Sequence, residues 1–353
     1  MATLGRMRVA VVGAGVVGLS TTAALLDAGV EAVCFERSGV VMGERSAGSS
    51  RIFRLAHADP DLVRLAARAR DGFARWAERE GRPMVDPCGC VVSGGDAAER
   101  AAAMTAAGAA FEIVEPGSDR LRLPATVTAE PVLVDPEGGV VDVDAVRAVL
   151  AGRAGQAVVP EAVEAVEVTG AGATVRTAHG ATGVDAVVLA AGAGTSALAG
   201  QVGITTPSAL VHHFRVTFPF AEGVDDLQSW IDSPADGLHT YQHRSGPGRW
   251  SVGGTLDPAL VAWEVGRDAA VAASEEVLLA YARERLAVEP RIVDGLYCTH
   301  VPDTGDGIAF RRSGAVLAVD GENLMKFAPV LGEILAAAAV DGSTPAVPQL
   351  AVR

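Results

Sequence analysis

The sequence predicts an α/β protein of two domains, one wound around a parallel sheet and a second built on an antiparallel sheet. Three observations predict it. Residues 8–36 run strand, glycine turn, helix, strand and acid within one short unit. A second apolar strand, from Val184, ends in Gly192-Ala-Gly194. Between the segments of the first kind lie TPSALVHHFRVTFPF and GRWSVGGTL, whose β-type alternation suits antiparallel pairing.

The first unit opens with RVAVVG, a continuous apolar run that suits a strand buried on both faces. It ends in Gly13-Ala-Gly15-Val16-Val17-Gly18, and LSTTAALLDAG follows with helical spacing closed by Gly29. Gly13 permits a tight turn, Gly15 lets backbone amides approach a pyrophosphate, and Gly18 lets helix and strand pack closely. VEAVCFER is the next strand, ending in Glu36 and Arg37, and Glu36 is placed to take ribose hydroxyls. A glycine turn that served packing alone would not need that terminal acid. Dinucleotide binding is therefore the expectation for this end of the chain.

The Val184 strand and its glycine end lead into a further helix, as the FAD proteins of the glutathione reductase type do. The C-terminal block AVLAVDGENLMKFAPVLGEILAAAAV predicts a strand, a loop and a terminal helix, with Pro329 suited to its first turn. Three separated segments thus form one discontinuous nucleotide-binding domain, expected at 1–82, 140–202 and 292–353. The remainder, 83–139 and 203–291, is expected to be the substrate domain.

Composition bounds the partners. The chain has 353 residues, 49% apolar and 20% charged, which suits a globular protein with more than one core. Its formal net charge of −14 disfavours nucleic acid and anionic membranes, both of which need a basic face. A small-molecule substrate fits better. No apolar run reaches the roughly 18 residues of a membrane span, and periodic structure begins by Arg8, so a cytoplasmic monomer or small homo-oligomer is expected. Four cysteines, Cys34, Cys88, Cys90 and Cys298, are too scattered for a disulfide framework or a zinc site, and no histidine–carboxylate spacing argues for another metal. Cys34 is expected in the core, and Cys88 and Cys90 on one face of a strand. His212, His213, His239 and His243 lie on candidate strands of the second domain, where core or rim roles are commonest.

Lys326 stands out because it is the only lysine in a chain with 28 arginines. LMKFAPVL surrounds it with apolar side chains just before the terminal helix. An ammonium with three rotatable donors fits a tight corner where a planar guanidinium would need more room.

Together, Gly48-Ser49-Ser50-Arg51-Ile52-Phe53-Arg54-Leu55-Ala56-His57, the Gly192 strand end, Tyr297-Cys298-Thr299-His300, and Gly321 to Phe327 resemble the monomeric sarcosine oxidase and N-methyl amino acid oxidase branch of the D-amino-acid oxidase group of FAD enzymes. The resemblance runs in order over nearly the whole chain. It implies that Arg54 receives a substrate carboxylate with Lys326 sharing that duty, that Arg51 lies against the isoalloxazine ring, and that His300 faces the substrate where relatives often carry tyrosine. It further implies that Cys298 bonds covalently to the flavin 8α carbon, and that Ser49, Ser50, Gly192, Gly321, Asn323 and Leu324 line the cofactor. The implied reaction is oxidation of the C–N bond of a small amine or amino acid to an imine by hydride transfer to the flavin, a secondary amine or an N-methyl or cyclic amino acid being favoured.

One departure bears on the electron acceptor. Relatives hold a second lysine on a substrate-domain strand to promote reaction with oxygen, and the corresponding stretch here, Arg249 to Thr255, has none. Either Arg249 or a histidine substitutes, or oxygen is a poor acceptor. A flavin dehydrogenase of the same fold, a 2-hydroxy-acid oxidoreductase and a non-catalytic nucleotide-binding protein are the alternative readings.

Overall fold

The computed structural model describes residues 7–125, 130–170, 172–220, 226–301 and 307–346. The chain divides into two compact units, 1–47, 145–209 and 301–353 forming the first, and 48–144 and 210–300 the second. Residues 48–82, 140–144 and 292–300 thus group with the second unit and 203–209 with the first, whereas the sequence reading puts the former in the nucleotide-binding domain and the latter in the substrate domain. The reason is pairing: Ser50–Phe53 joins Gly139–Asp142 in an antiparallel ladder, and Val85–Asp86 lies on the other side of that strand.

The first unit is built on a six-stranded sheet in the order Ile308–Ser313, Val316–Gly321, Ala186–Leu189, Arg8–Val12, Glu31–Phe35 and Val158–Val159. All its neighbours are parallel except the first pair. The three chain segments joined by sequence reasoning therefore do share one sheet. Its central strands are dry on both faces, which is why RVAVV and AVVL are continuous apolar runs instead of alternating ones. The helices Val16–Asp27 and Ala328–Asp341 pack against each other so closely that a Cβ on Gly332 would lie 2.6 Å from the Ser20 carbonyl oxygen. Pro329 falls in the first turn of the second helix, where its missing N–H costs nothing. A separate antiparallel sheet, Val163–Val168, Ala173–Thr177 and Gly180–Val184, completes the unit.

The second unit is built on an eight-stranded sheet in the order Asp294–His300, Val211–Pro219, Arg249–Gly254, Thr240–Gly246, Ser229–Ser233, Cys90–Gly94, Val132–Asp135 and Glu112–Val114. Every adjacent pair is antiparallel except Ser229–Ser233 with Cys90–Gly94. Because side chains alternate across a strand, the pairing register sorts two faces. Val216, Phe218, Trp230, Trp250 and Val252 share one face, packed with Leu278 and Tyr281 of the helix Arg267–Arg285. Thr240 and Gln242 share that face, bonded to Tyr281 and Trp250, and the opposite face carries a second polar cluster.

Candidate functional site

In the first unit, the glycine turn is shaped by close approach. Gly13 has φ +99°, and a Cβ there would lie 2.7 Å from the Ala190 carbonyl oxygen on the neighbouring glycine-bearing segment. A Cβ on Gly18 would lie 1.8 Å from the Gly13 carbonyl oxygen, so helix and turn can meet only without it. The following helix begins at Val16 with Gly15 as its cap, no capping side chain on that residue and no acid in its first turn. Ser46 supplies a hydroxyl that accepts the Val16 N–H at 3.0 Å. Such a terminus presents amides and positive dipole to an anion.

Glu36 follows the second strand and is nine-tenths buried. Its Oε2 accepts the Ala14 N–H at 3.0 Å, while Oε1 accepts the Ser38 amide and hydroxyl at 2.9 and 2.8 Å. The carboxylate is thereby fixed beside the turn with a lone pair of Oε2 left for a hydroxyl donor. Arg37 instead points to Glu44, its Nη2 2.6 Å and 2.7 Å from the two carboxylate oxygens. Gly192, at φ +55°, sits beside the stem of Arg45, whose guanidinium pairs with Glu322. Glu322 also accepts the Val301 N–H at 2.8 Å.

Past Gly321 the chain turns through Asn323, a left-handed residue at φ +55°, into a 3₁₀ turn over Leu324–Phe327. Lys326 is 5% exposed in that turn, with Nζ 5.7 Å from the centre of the Phe327 ring. The ammonium is therefore buried at the start of the terminal helix, as its apolar neighbours in sequence implied. The turn, the Glu36 carboxylate and the bare helix terminus together fit the pyrophosphate and ribose of FAD. Among the described residues, no cluster of histidine, cysteine or carboxylate side chains is arranged to hold a metal.

In the second unit, the polar face of the eight-stranded sheet brings together residues from four strands. His213 pairs across the ladder with Cys298, Val211 with His300, Thr217 with Ser251, His243 with Ser251 and Tyr241 with Gly253. His213 Nδ1 lies 3.6 Å from Cys298 Sγ, its Nε2 lies 2.9 Å from the Tyr241 hydroxyl, and its ring meets His300 edge-on at 5.3 Å. Ser50 Oγ reaches His243 Nε2 at 3.0 Å. The Ser50 carbonyl accepts from Arg51 at 2.8 Å and from Arg215 at 3.1 Å. Ser49 anchors the same segment, its carbonyl accepting the Val143 N–H.

This face is electropositive. Burial, then the charges of His300, Arg215 and Arg51, pushes His213 down to about 3. The same causes, burial first and then Arg215 and Arg51, hold His243 well below its usual range. Burial with Arg51 nearby brings Arg215 down to about 10. No carboxylate lies within ion-pair distance of Arg215 among the described residues, and its Nε is buried without a hydrogen-bond partner. Arg54 is also buried, its Nη1 donating to the Ala56 carbonyl at 3.0 Å and lying 2.9 Å from His57 Nδ1.

The structure thus gathers Arg51, Ser50, Cys298 and His300 in the second unit, and the glycine turn, Glu36, Gly192, Gly321 and Lys326 in the first. Arg249, the sequence candidate for a substitute charge, lies elsewhere: it is half-exposed beside Asp294, at 3.7 Å. Arg215, His213 and Tyr241 emerge only from the fold as members of the polar cluster. A trace of them is legible, because His213, Arg215 and Thr217 recur at every second position between apolar residues. Cys34 is buried, as expected; Cys90 opens the strand Cys90–Gly94 and is buried, whereas Cys88, expected on the same strand face, precedes that strand and is half-buried.

Residues 8–338 match the family described as DAO, FAD dependent oxidoreductase. No curated protein sequence matches the chain. Among solved structures, NikD, an amino acid oxidase essential for nikkomycin biosynthesis, superposes with a TM-score of 0.82 at 22% identity, covering 96% of both chains. L-Proline dehydrogenase from P. horikoshii gives 0.77 at 17% identity over 97% of this chain and 95% of its own. Glycine oxidase from Geobacillus kaustophilus gives 0.76 at 18% identity, over 98% and 97%. At these identities the likeness is one of fold, while the family match spans nearly the whole sequence; the chain belongs to the DAO family of FAD-dependent oxidoreductases.

Proposed function

We propose that the protein oxidises the C–N bond of a small amino acid or related amine to an imine, with the substrate carried on the polar face of the eight-stranded sheet. One observation carries this reading: among the described residues Arg215 is buried there with no carboxylate in ion-pair contact and with its Nε unpartnered. An uncompensated buried guanidinium is costly unless an anion completes it, and a substrate carboxylate is such an anion. Bound FAD supplies the two-electron acceptor for the hydride.

The chain's own residues then divide the remaining work. Arg54 shares the substrate carboxylate with Arg215, and the bidentate shape of a guanidinium fixes which C–H bond is offered. The buried ammonium of Lys326 serves the same negative charge and the charge that hydride transfer leaves on the cofactor. The field that keeps His213 and His243 neutral disfavours an ammonium in the same surroundings, so the bound amine gives its proton to solvent and donates its lone pair as the hydride leaves. Burial is the first cause of that effect, and the charges of Arg51 and Arg215, with His300 at His213, add to it. Cys298 tethers the flavin through sulfur.

The fold relatives favour this class, since NikD and glycine oxidase are named for amino acid oxidation and L-proline dehydrogenase for a cyclic amino acid. A second reading, a dehydrogenase that passes its electrons to an acceptor other than oxygen, is favoured by the exposed position of Arg249 and the absence of lysine from its strand. The test is an anaerobic screen of amino acids, N-methyl amino acids, amines lacking a carboxylate and 2-hydroxy acids, followed by bleaching of the flavin absorbance. Bleaching by carboxylate-bearing amines alone supports the proposal. Bleaching by 2-hydroxy acids alone, or by none of the panel, overturns it.

A further inference from the structure

We propose that Tyr241 and His213 form a relay that holds the sulfur of Cys298 as a nucleophilic thiolate. Three strands build it. His213 and Cys298 are direct partners on adjacent strands, which places Nδ1 3.6 Å from Sγ, within hydrogen-bond range for sulfur. Tyr241 comes from beyond the intervening strand and reaches His213 Nε2 at 2.9 Å. It can do so only because residue 253, its partner on that strand, is glycine: a Cβ there would lie 2.1 Å from the Tyr241 hydroxyl oxygen. The two rings stack at 5.7 Å and 21°, so the imidazole is held from above as well as at its nitrogens.

The direction of the relay follows from charge. Burial first, and then the charge of Cys298, raises Tyr241 above its ordinary range, so the phenol keeps its proton and can donate to Nε2. An imidazole that accepts at Nε2 and stays neutral carries its proton at Nδ1, and that N–H then donates to sulfur. Sulfur accepts such a bond best as an anion. The groups facing it on the polar face are Arg215 and His213 on one strand, Tyr241 and His243 on another, His300 and, at its exposed end, Asp294 on its own strand, Arg249 beside Asp294 on Arg249–Gly254, and Arg51 on Ser50–Phe53. Arg51 and Arg215 are cations, and positive charge beside sulfur favours its thiolate, whereas the burial that is the first cause of the His213 shift opposes it. Formation of the thiolate transfers one proton from Sγ to solvent and moves no electrons. The other cysteines lack this arrangement: burial raises Cys34, Cys88 and Cys90, with Cys88 at about 11.

The relay deepens the flavin tether assigned above to Cys298, since the thiolate is the nucleophilic form of sulfur, and its test separates the two. The full chain, produced with riboflavin withheld, is treated with iodoacetamide across a pH series, and alkylation at Cys298 is followed by peptide mass. The expected midpoint lies below about 8.5, the ordinary thiol value. Tyr241→Phe and His213→Leu should each raise it by about one pH unit, the size of one hydrogen bond to a charged group. Gly253→Ala should act like Tyr241→Phe by displacing the ring. A wild-type midpoint at or above the ordinary value, or one that neither Tyr241→Phe nor His213→Leu moves, overturns the relay. Should those variants misfold, the thiolate absorbance of wild type minus Cys298→Ser, titrated in the same pH range, decides the matter by its midpoint. FAD is then added and acid-stable yellow colour is followed. A low midpoint without acid-stable colour supports the relay and removes the tether; a low midpoint with colour that forms more slowly in Tyr241→Phe supports both.

Discussion

The carboxylate of Asp135 accepts the amide of Leu55 at 2.6 Å, and the same oxygen accepts the amide of Ala56 at 3.1 Å. The Ala56 carbonyl in turn receives Nη1 of Arg54 at 3.0 Å and Nη1 of Arg100 at 2.8 Å. Asp135 is fully buried, and burial raises its carboxyl above the usual range against the lowering effect of three backbone amides. It therefore sets the backbone that aims Arg54. Asp135→Asn should cost about 1–3 kcal/mol of stability and weaken amino-acid binding while leaving the flavin content of the folded protein unchanged. Denaturant melts and anaerobic substrate titrations of the purified holoprotein check both halves.

Arg54→Ala should weaken binding of carboxylate-bearing substrates by about 1.5–3 kcal/mol, the range for a charge-assisted hydrogen bond. Lys326→Arg should not restore full function, because the planar fork is larger than an ammonium in a buried turn. Unchanged substrate dissociation constants in both variants would remove Arg54 and Lys326 from the carboxylate and leave it to Arg215.

Glu36 holds the glycine turn through Ala14 and keeps a lone pair for a ribose. Glu36→Gln leaves the side-chain size intact but gives up charge-assisted acceptance, so FAD affinity should fall about ten-fold, or about 1.4 kcal/mol. Fluorescence titration of flavin-free Cys298→Ser with FAD measures this without interference from any covalent bond.

Arg249→Ala should leave reoxidation of the substrate-reduced enzyme unchanged, because the side chain is half-exposed and lies beside Asp294. Oxygen should react slowly in comparison with an artificial acceptor. What oxygen reaction there is should depend on the fixed charge of Arg215, since a cation lowers the cost of making superoxide. Stopped-flow mixing with air-saturated buffer tests this, and fast reoxidation that survives Arg215→Ala would remove Arg215 from the role.

Acid should destabilise the protein before its carboxylates titrate. His213 and His243 are neutral in the folded state with depressed values, whereas an unfolded histidine takes a proton near 6.5. Their contribution is fully present above about pH 6.5 and is lost as pH falls below it, down to about 3 for His213. Each should cost about 1.4 kcal/mol per pH unit in that window. Urea unfolding at a series of pH values should show this slope, and His243→Gln should remove its share.

Local chemistry made the nucleotide-binding half legible from sequence. A tight turn, a bare helix terminus and an acid at the next strand end lie within thirty residues, so spacing alone specifies them. Doubly buried strands announce themselves as apolar runs, which let three distant segments be assigned to one sheet. Lys326 was visible because it is unique, and the apolar residues around it indicated its burial. The polar face of the second unit was not legible in the same way. Whether His213 meets Cys298, whether Tyr241 can cross Gly253, and whether Arg215 is buried while Arg249 is exposed all depend on strand order and register. A one-residue slip would have sent each of those side chains to the opposite face. Only tertiary pairing decides register among strands eighty residues apart, and with it which of 28 arginines faces the chemistry.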